Sequence, residues 1–381
     1  MKRIYLDHAA ATPIRPEVKQ AMVDYGANQF GNASSLHEEG RMAREALESA
    51  RKTIAKAINA SADELIFTGS GTESCNLAVF GSCFGDARKG RHVVITAVEH
   101  HAVLRACEML TADGFEVTIV PVDRYGKADP LAIKEAVRED TVFVSVILAN
   151  NEVGTINDVK QISRFVKERN PKTIVHTDAC QAPGLLKIDV KSLGVDLLSI
   201  NASKIYGPKG VAALYVKRGV MLHPIAFGGG QERGLRSGTE NVDAIVGFAR
   251  AMELAERERE ATMERLLALR QRLEKGVAER ISGVRVNSHP TDRIANNLNM
   301  SISGVEGEAL VIYLDEADIA VSTGSACTTS ETGPSHVIKA IGNTESDNLR
   351  ITLGRFTTKK ELDYFLKILL GAVKKIRKIY L

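Results

Sequence analysis

A chain of 381 residues, 44% apolar and 25% charged, has the composition of an ordinary soluble globular protein and is long enough for two domains. A formal charge of +3, the absence of Trp and the lack of any Lys/Arg tract interleaved with aromatics argue against nucleic acid as the main ligand. No apolar run approaches the ~20 residues of a membrane span, and Met1-Lys2-Arg3-Ile4-Tyr5-Leu6-Asp7 has no apolar stretch behind its positive charges, so a cytoplasmic protein without a signal peptide is expected.

In chain order, a short N-terminal segment up to Pro13 precedes the first helix and is expected to pack on one of the two domains. From about residue 60 to 216, apolar strands (64–68, 92–96, 115–120, 142–148, 173–178, 195–200 and 211–216) are separated in the main by segments of helical period (74–84, 102–110, 131–137, 159–166). Near-continuous apolar strands between helices predict a mainly parallel sheet covered on both faces, with its ligand site at the carboxyl ends of the strands. A charged helical stretch over 242–279 follows, patterned as a helix that spans two domains. Short strands (284–287, 297–303, 319–321, 348–353) then mix with helices (307–315, 359–378), which reads as a smaller α+β domain. The expected division is a large α/β domain over 14–260 and a small α+β domain from 1–13 and 261–381.

Polar motifs punctuate the strand ends. Phe67-Thr68-Gly69-Ser70-Gly71-Thr72-Glu73-Ser74 joins a strand to a helix, where two glycines, three hydroxyls and free helix N–H groups suit a phosphate; an ordinary capped turn is the plainer reading. It is no Walker loop, since no Gly-Lys-Ser/Thr follows. His100, in Thr96-Ala97-Val98-Glu99-His100-His101, is placed to lie over a ring and shuttle a proton, or is simply a hydrogen-bonded buried His. In Ala149-Asn150-Asn151-Glu152, adjacent buried asparagines need partners; a turn explains one and a ligand contact the other.

The most informative pair is Asp178, ending Thr173-Ile174-Val175-His176-Thr177-Asp178, and Lys204, ending Asn201-Ala202-Ser203-Lys204 after the next strand. A Lys able to form a Schiff base, with an Asp to hold a pyridinium N–H, is what pyridoxal phosphate needs. Two ion-paired or solvated strand ends are the alternative. Gln181, just beyond Asp178, can hydrogen-bond a ring oxygen. The loop from Gly228-Gly229-Gly230 to Gly238-Thr239 reads as a lid or subunit contact, or else as a linker. Arg350, alternating with apolar residues in Asn348-Leu349-Arg350-Ile351, needs a carboxylate, either a substrate's or a structural one. Five cysteines with no C-x2-C pair argue against both disulfides and a zinc knuckle; four sit in apolar contexts, whereas Cys327 lies among small polar residues in Ser325-Ala326-Cys327-Thr328-Thr329.

Taken together these motifs resemble, nearly end to end, the cysteine desulfurases of the NifS/IscS class, in the class V aminotransferase group. Gly-Thr-Glu-Ser (71–74), Asn-Asn-Glu-Val-Gly (150–154), Lys-Ile-Tyr-Gly-Pro-Lys-Gly (204–210), Arg-Ser-Gly-Thr (236–239) and Ser-Ala-Cys-Thr (325–328) carry the resemblance. It implies the fold type I of pyridoxal-phosphate-dependent transferases and pyridoxal 5'-phosphate as cofactor. Lys204 would be the Schiff-base Lys, Asp178 the partner of the pyridinium nitrogen, and His100 the ring-stacking residue. Asn151 and Gln181 would contact the cofactor, with Asn151 also near the substrate carboxylate. Gly71, Thr72 and Ser203 would hold the phosphate, with Asn201 beside them, and Thr239 would reach the phosphate of the other subunit of a homodimer. Arg350 would clamp the carboxylate of L-cysteine, and Cys327 would be the nucleophile that carries the persulfide to an iron–sulfur scaffold or other acceptor. No resident metal is implied; Cys327 is the residue suited to ligate an Fe–S cluster transiently with a partner.

The chain departs from the family in three places. Asn201-Ala202-Ser203 replaces the usual Ser-x-His before the Lys, Phe227 replaces a His before the glycine loop, and the longer C-terminal tail of some members is missing. The rival readings are a selenocysteine lyase or aminotransferase on the same fold, and a catalytically idle docking partner.

Overall fold

A computed structural model describes residues 3–85, 90–324, 335–343 and 348–380. The chain opens with β1 (Ile4–Tyr5), α1 (Pro16–Gly26) and α2 (Glu38–Ala57). There follow β2 (Leu65–Thr68), α3 (Gly71–Cys83), β3 (His92–Thr96), α4 (His101–Ala112), β4 (Glu116–Val120), α5 (Pro130–Ala136), β5 (Thr141–Ser145) and α6 (Val159–Arg169). Next come β6 (Ile174–Asp178), α7 (Val190–Leu193), β7 (Leu197–Asn201), β8 (Ala212–Val216) and α8 (Val242–Ala278). The C-terminal part holds β9 (Val284–Val286), β10 (Asn297–Ile302), α9 (Gly307–Glu316), β11 (Ile319–Ala320), α10 (His336–Ala340), β12 (Asn348–Thr352) and α11 (Lys359–Tyr380).

Seven strands form one sheet in the order β2-β8-β7-β6-β5-β3-β4. From β4 to β7 every pairing is parallel, and β8 alone runs antiparallel to its neighbours β7 and β2. The reversal follows from chain length: only a short turn after Lys204 separates β7 from β8, too little for a parallel crossover. The central strands β5 and β6 are buried at every position, as residues covered on both faces must be, whereas in edge strand β4 only Val120 is fully buried. One apolar cluster lies between the sheet, α1, α2, α6 and the first half of α8; a second lies on the other face under α3 and α4.

A separate core gathers β10, β12, α9, α11, the second half of α8 and Ile4 and Leu6 from the N-terminus. Helix α8, 37 residues long and therefore ~55 Å, serves both: Val242–Leu254 supplies the first core and Leu266–Val277 the second. Where it passes between them its face turns polar, and Glu258 pairs with Arg15 (3.0 Å) and Arg355 (2.5 Å). The N-terminal segment touches both parts. β1 pairs parallel with β11, while Thr12 and Arg15 donate their backbone N–H groups to Ser203 and Tyr206. Among the described residues no helix is long and apolar enough to cross a membrane.

The glycine-rich stretch does not hang free as a linker would. Glu232 is buried and accepts both guanidinium arms of Arg51 (2.7 Å each) and the Phe67 N–H (2.7 Å), while Arg51 also lies over the Phe67 ring. Glu232 and Arg233 both adopt left-handed backbone, a cost of roughly 1 kcal/mol or more apiece that these bonds offset. Arg51→Met leaves the Glu232 carboxylate buried without its cation, so the unfolding free energy measured by urea denaturation should fall by about 3–5 kcal/mol.

Candidate active site

The carboxyl ends of β5, β6 and β7, with the segment after β3 and the start of α3, surround a cavity of about 310 Å³. Gly71, Thr72, His100, Asn151, Asp178, Gln181, Asn201, Lys204 and Arg350 all line it. Ser203 and Thr239 do not: Ser203 is engaged through its backbone by Thr12 and Asn201, and Thr239 is exposed on the loop after Gly238. Cys327 lies outside the described residues.

One end of the cavity is an anion cradle. Ser70 caps α3 by accepting the Glu73 N–H (3.1 Å), and Ser74 is buried against Thr68 (2.6 Å), so of the three hydroxyls only Thr72 faces the cavity. The first N–H groups of α3 have no intrahelical partner and carry the positive end of the helix dipole. A Cβ on Gly71 would stand 3.0 Å from Cys180 Sγ and 3.2 Å from Asn201 Nδ2, so a side chain there would fill the cradle. The same distance brings the Asn201 amide, a donor, beside the helix start. Asn201 also caps the 3-10 turn Ala202–Lys204 by accepting the Ser203 N–H (3.0 Å), which holds the turn that presents Lys204.

The titratable groups line the same cavity. Asp178 is 5% exposed and its Oδ1 accepts the Cys180 N–H (2.9 Å). Lys204 Nζ donates to the carbonyls of Ala9 (2.9 Å) and Ala10 (2.5 Å), and Gln181 Nε2 donates to Ala9 O (3.0 Å). Lys209, the other Lys of the motif, is exposed and does not line the cavity. His100 caps α4: its Nδ1 accepts the Ala102 N–H (3.1 Å), so the neutral ring carries its proton on Nε2. Burial holds the His100 pKa below its ordinary value, and nearby Lys204 and His101 act in the same direction against Asp178. Burial also pushes the thiols of Cys75, Cys107 and Cys180 up, so none of these is a thiolate near neutrality.

Asn150 and Asn151 divide as a turn and a cavity residue. Asn150 Oδ1 accepts the N–H groups of Glu152 and Val153 (2.8 and 2.9 Å), which leaves Asn151 on the wall. Arg350 comes from β12, on the second core. Its Nη2 donates to Asp7 (2.8 Å) and its Nη1 to Asn151 O (3.3 Å), while the buried Nε has no hydrogen-bond partner among the described residues. A structural ion pair and spare donor capacity thus coexist in one guanidinium.

Among the lining residues not singled out from the sequence as site residues, Glu152, His101 and His336 stand out. Glu152 is buried and accepts the Ser335 hydroxyl (2.6 Å); a Cβ on Gly324 would stand 2.7 Å from its Oε2. It therefore touches both flanks of residues 325–334. His101 and His336 meet edge to face, ring centroids 4.5 Å apart, from elements more than two hundred residues apart in sequence. Only their convergence in space marks them. Among the described residues no group of three or more His, Cys, Asp or Glu is placed to hold a metal ion.

The family model for aminotransferase class-V matches residues 4–365. The chain is 48% identical over 383 residues to a cysteine desulfurase IscS of Dictyoglomus turgidum, covering 100% of this chain and 97% of that one. Among solved structures it is similar to a NifS-like protein, with a TM-score of 0.92 and 36% identity over 98% of this chain and 100% of that one. It is also similar to SspA in complex with cysteine, with a TM-score of 0.82 and 32% identity over 93% of this chain and 100% of that one.

Burial raises the Glu152 carboxyl from 4.5 to about 7, and Glu99, buried behind the site, from 4.5 to about 7 as well. Each binds its proton more tightly when folded than when unfolded, so its stabilisation is complete below its ordinary value and is lost as pH rises through the folded one. Unfolding free energy should therefore fall from about pH 5 to about pH 8, by on the order of 3 kcal/mol for each carboxyl. Glu152→Gln should remove roughly half of that fall in urea denaturation series run at several pH values.

Proposed function

The chain belongs to the class-V aminotransferase family and is a pyridoxal-phosphate-dependent cysteine desulfurase, and from that premise we propose how its own residues carry the reaction. What supports the assignment most is that Asp178 at the end of β6, Lys204 in the turn after β7 and Arg350 in the middle of β12, from two cores, converge on one cavity of a small-molecule size. The residues fit the cofactor: the cradle at Gly71 takes a phosphate, and the carboxylate of Asp178 takes a ring N–H. When bound, the cofactor supplies an electron sink for the substrate α-carbon.

The N–H groups at Gly71 and Thr72 and the Asn201 amide hold the phosphate. Asn201 thereby supplies the donor lost where Ser203 stands in place of the family's His. Asp178 would keep the ring nitrogen protonated, and Gln181, Asn151 and neutral His100 would hold the ring in the cavity. Lys204 is the covalent anchor, and its amine moves the α-proton of the substrate. Arg350 binds the substrate carboxylate through its unused donor capacity, the stronger because its guanidinium is buried. The Cys327 thiolate attacks the sulfur of L-cysteine: an S–S bond forms, the C–S bond breaks, and its electron pair stays with the carbon, which takes up a proton and leaves as alanine.

The persulfide on Cys327 passes to an acceptor such as an iron–sulfur scaffold, in the cytoplasm. The working form is a homodimer in which Thr239 reaches the phosphate bound by the other copy. The exposed Phe227 (76%) and Met221 (74%) before the loop suit burial against a second chain.

Mass spectrometry of the holoenzyme after cysteine treatment should show one added sulfur on Cys327; Cys327→Ala should lose it, and sulfide release at the wild-type rate by that variant would refute the nucleophile. Lys204→Ala should lose borohydride-fixable cofactor, and retention would move the anchor to another Lys. Arg350→Gln should raise KM for cysteine by roughly tenfold or more, with a smaller effect on kcat, read from steady-state alanine production.

A further inference from the structure

The turn that presents Lys204 runs against local preference at one residue. Ile205 and Gly207 both return their N–H groups to Ala202 O (3.1 and 3.0 Å), which closes the turn with Tyr206 in left-handed backbone (φ +64°). Glycine usually takes such a place, because a Cβ there crowds the neighbouring backbone. Of the other non-glycine residues with left-handed backbone, Asn59 and Asp318 are of types that tolerate it, and Glu232 and Arg233 belong to the stretch held by Arg51. An aromatic residue at 206 needs a reason of its own, and the reason lies in its side chain.

That side chain spans the two cores. Its hydroxyl accepts the Arg355 N–H (2.7 Å), and its ring lies near His8 and Phe356, with centroids 6.0 and 6.2 Å away. Burial raises the phenol above its ordinary value, so the hydroxyl stays neutral. The Tyr206 backbone is tied as well: its N–H donates to Thr12 Oγ1 (2.7 Å) and its carbonyl accepts the Arg15 N–H (3.1 Å). Thr12 donates its hydroxyl and its N–H to Ser203 O (2.9 and 3.0 Å), so the chain is anchored on both sides of Lys204. Arg355 follows β12, and the pairing of β12 with β10 from Asn348 to Thr352 fixes the strand that carries Arg350. Packing alone does not fix the joint. A second cavity, of about 60 Å³, lies between the cores and is lined by Lys204, Tyr206, Leu353 and Arg355 among others. Side chains beside a void have room to shift, so the spacing of turn and strand depends on the bonds across it.

We propose that Tyr206 is a positioning residue whose hydroxyl holds the Lys204 turn of the first core at a fixed spacing from the strand of the second core that bears Arg350. The Arg350 guanidinium fixes a substrate by its carboxylate, and the Lys204 amine must then reach the α-proton of the same molecule. Proton transfer between groups carried by separate cores depends on their spacing far more than carboxylate binding does. Glycine at 206 would suit the turn and leave the two cores unjoined at this point. The inference rests on the reading of Lys204 as the amine that moves the α-proton and of Arg350 as the clamp.

Tyr206→Phe removes the oxygen and keeps the ring. In the holoenzyme, cofactor content and borohydride fixation on Lys204 should match wild type, while kcat per loaded site should fall roughly tenfold with KM for cysteine within about twofold. Exchange of the α-proton of L-alanine with heavy water, followed by proton NMR, isolates the Lys204 step from Cys327 and should slow by the same factor. Amide hydrogen exchange of the holoenzyme should show the Arg355 N–H losing protection. Thr12→Val, which takes the acceptor from the Tyr206 N–H, should give the same split of kcat and KM, even where the first variant does not fold. Adding Arg350→Gln to Tyr206→Phe should cost less than the product of the two single effects, because both act on one spacing. Wild-type kcat per loaded site in either variant, a loss confined to cofactor content or to KM, or fully multiplicative effects would overturn the joint. Wild-type enzyme without borohydride-fixable cofactor on Lys204, or an unchanged KM in Arg350→Gln, would instead refute the reading beneath it.

Discussion

A polar side chain can remain at the buried end of a strand only if each of its donors and acceptors finds a partner, and the carboxyl ends of the central strands place several such chains side by side. The cost of leaving one unmet is ~1–3 kcal/mol, a sizeable part of a domain's net stability. Here the debts are met locally and in pairs. Asp178 takes the Cys180 N–H, Asn201 takes the Ser203 N–H, and Asn150 takes two N–H groups of its own turn. Lys204 and Gln181 find theirs far off in the sequence, at the carbonyls of Ala9 and Ala10. That need explains why a short N-terminal segment crosses the mouth of the site before joining the second core through β1.

The second core enters the site through Arg350. Its partners, Asp7 and the carbonyl of Asn151, belong to the N-terminal segment and to the turn after β5, so one guanidinium joins three separate stretches of chain. Glu152 lies close enough for the Arg350 charge to favour its ionised form, yet burial outweighs that attraction and keeps its pKa near neutrality. A fully ionised carboxylate beside the clamp would compete with a substrate carboxylate for it. Desolvation therefore serves binding as well as being a burden on stability.

Much of this was legible in the residues. Seven apolar runs mark the seven strands of the large sheet because local burial on both faces leaves a local signal, and Asp178 and Lys204 stand out because each ends such a run. Asn151 and Arg350 are polar in apolar surroundings, and Thr72 stands in a glycine-rich loop at a helix start. Other features leave no comparable trace. His176 alternates with valine and threonine inside a strand and reads as an ordinary core residue; only the structure places its ring between the Ser145 and Ser199 hydroxyls, at 2.9 and 3.0 Å. Ser203 and Asn201 cannot be ranked as phosphate contacts from their order in the chain, since which of them faces the cavity depends on the tight turn they form.

Sequence alone determined the alternation of strands and helices, the placing of polar motifs at strand ends, and the family those motifs spell, because each rests on contacts between near neighbours and on residue types that a given chemistry requires. Tertiary structure alone decided the reversed β8, the service of Ala9 and Ala10 as acceptors for Lys204, the meeting of His101 with His336, and the side-chain row Glu99–Ser145–His176–Ser199. Those depend on which strands lie side by side and in what register, and register is set by the packing of the whole sheet.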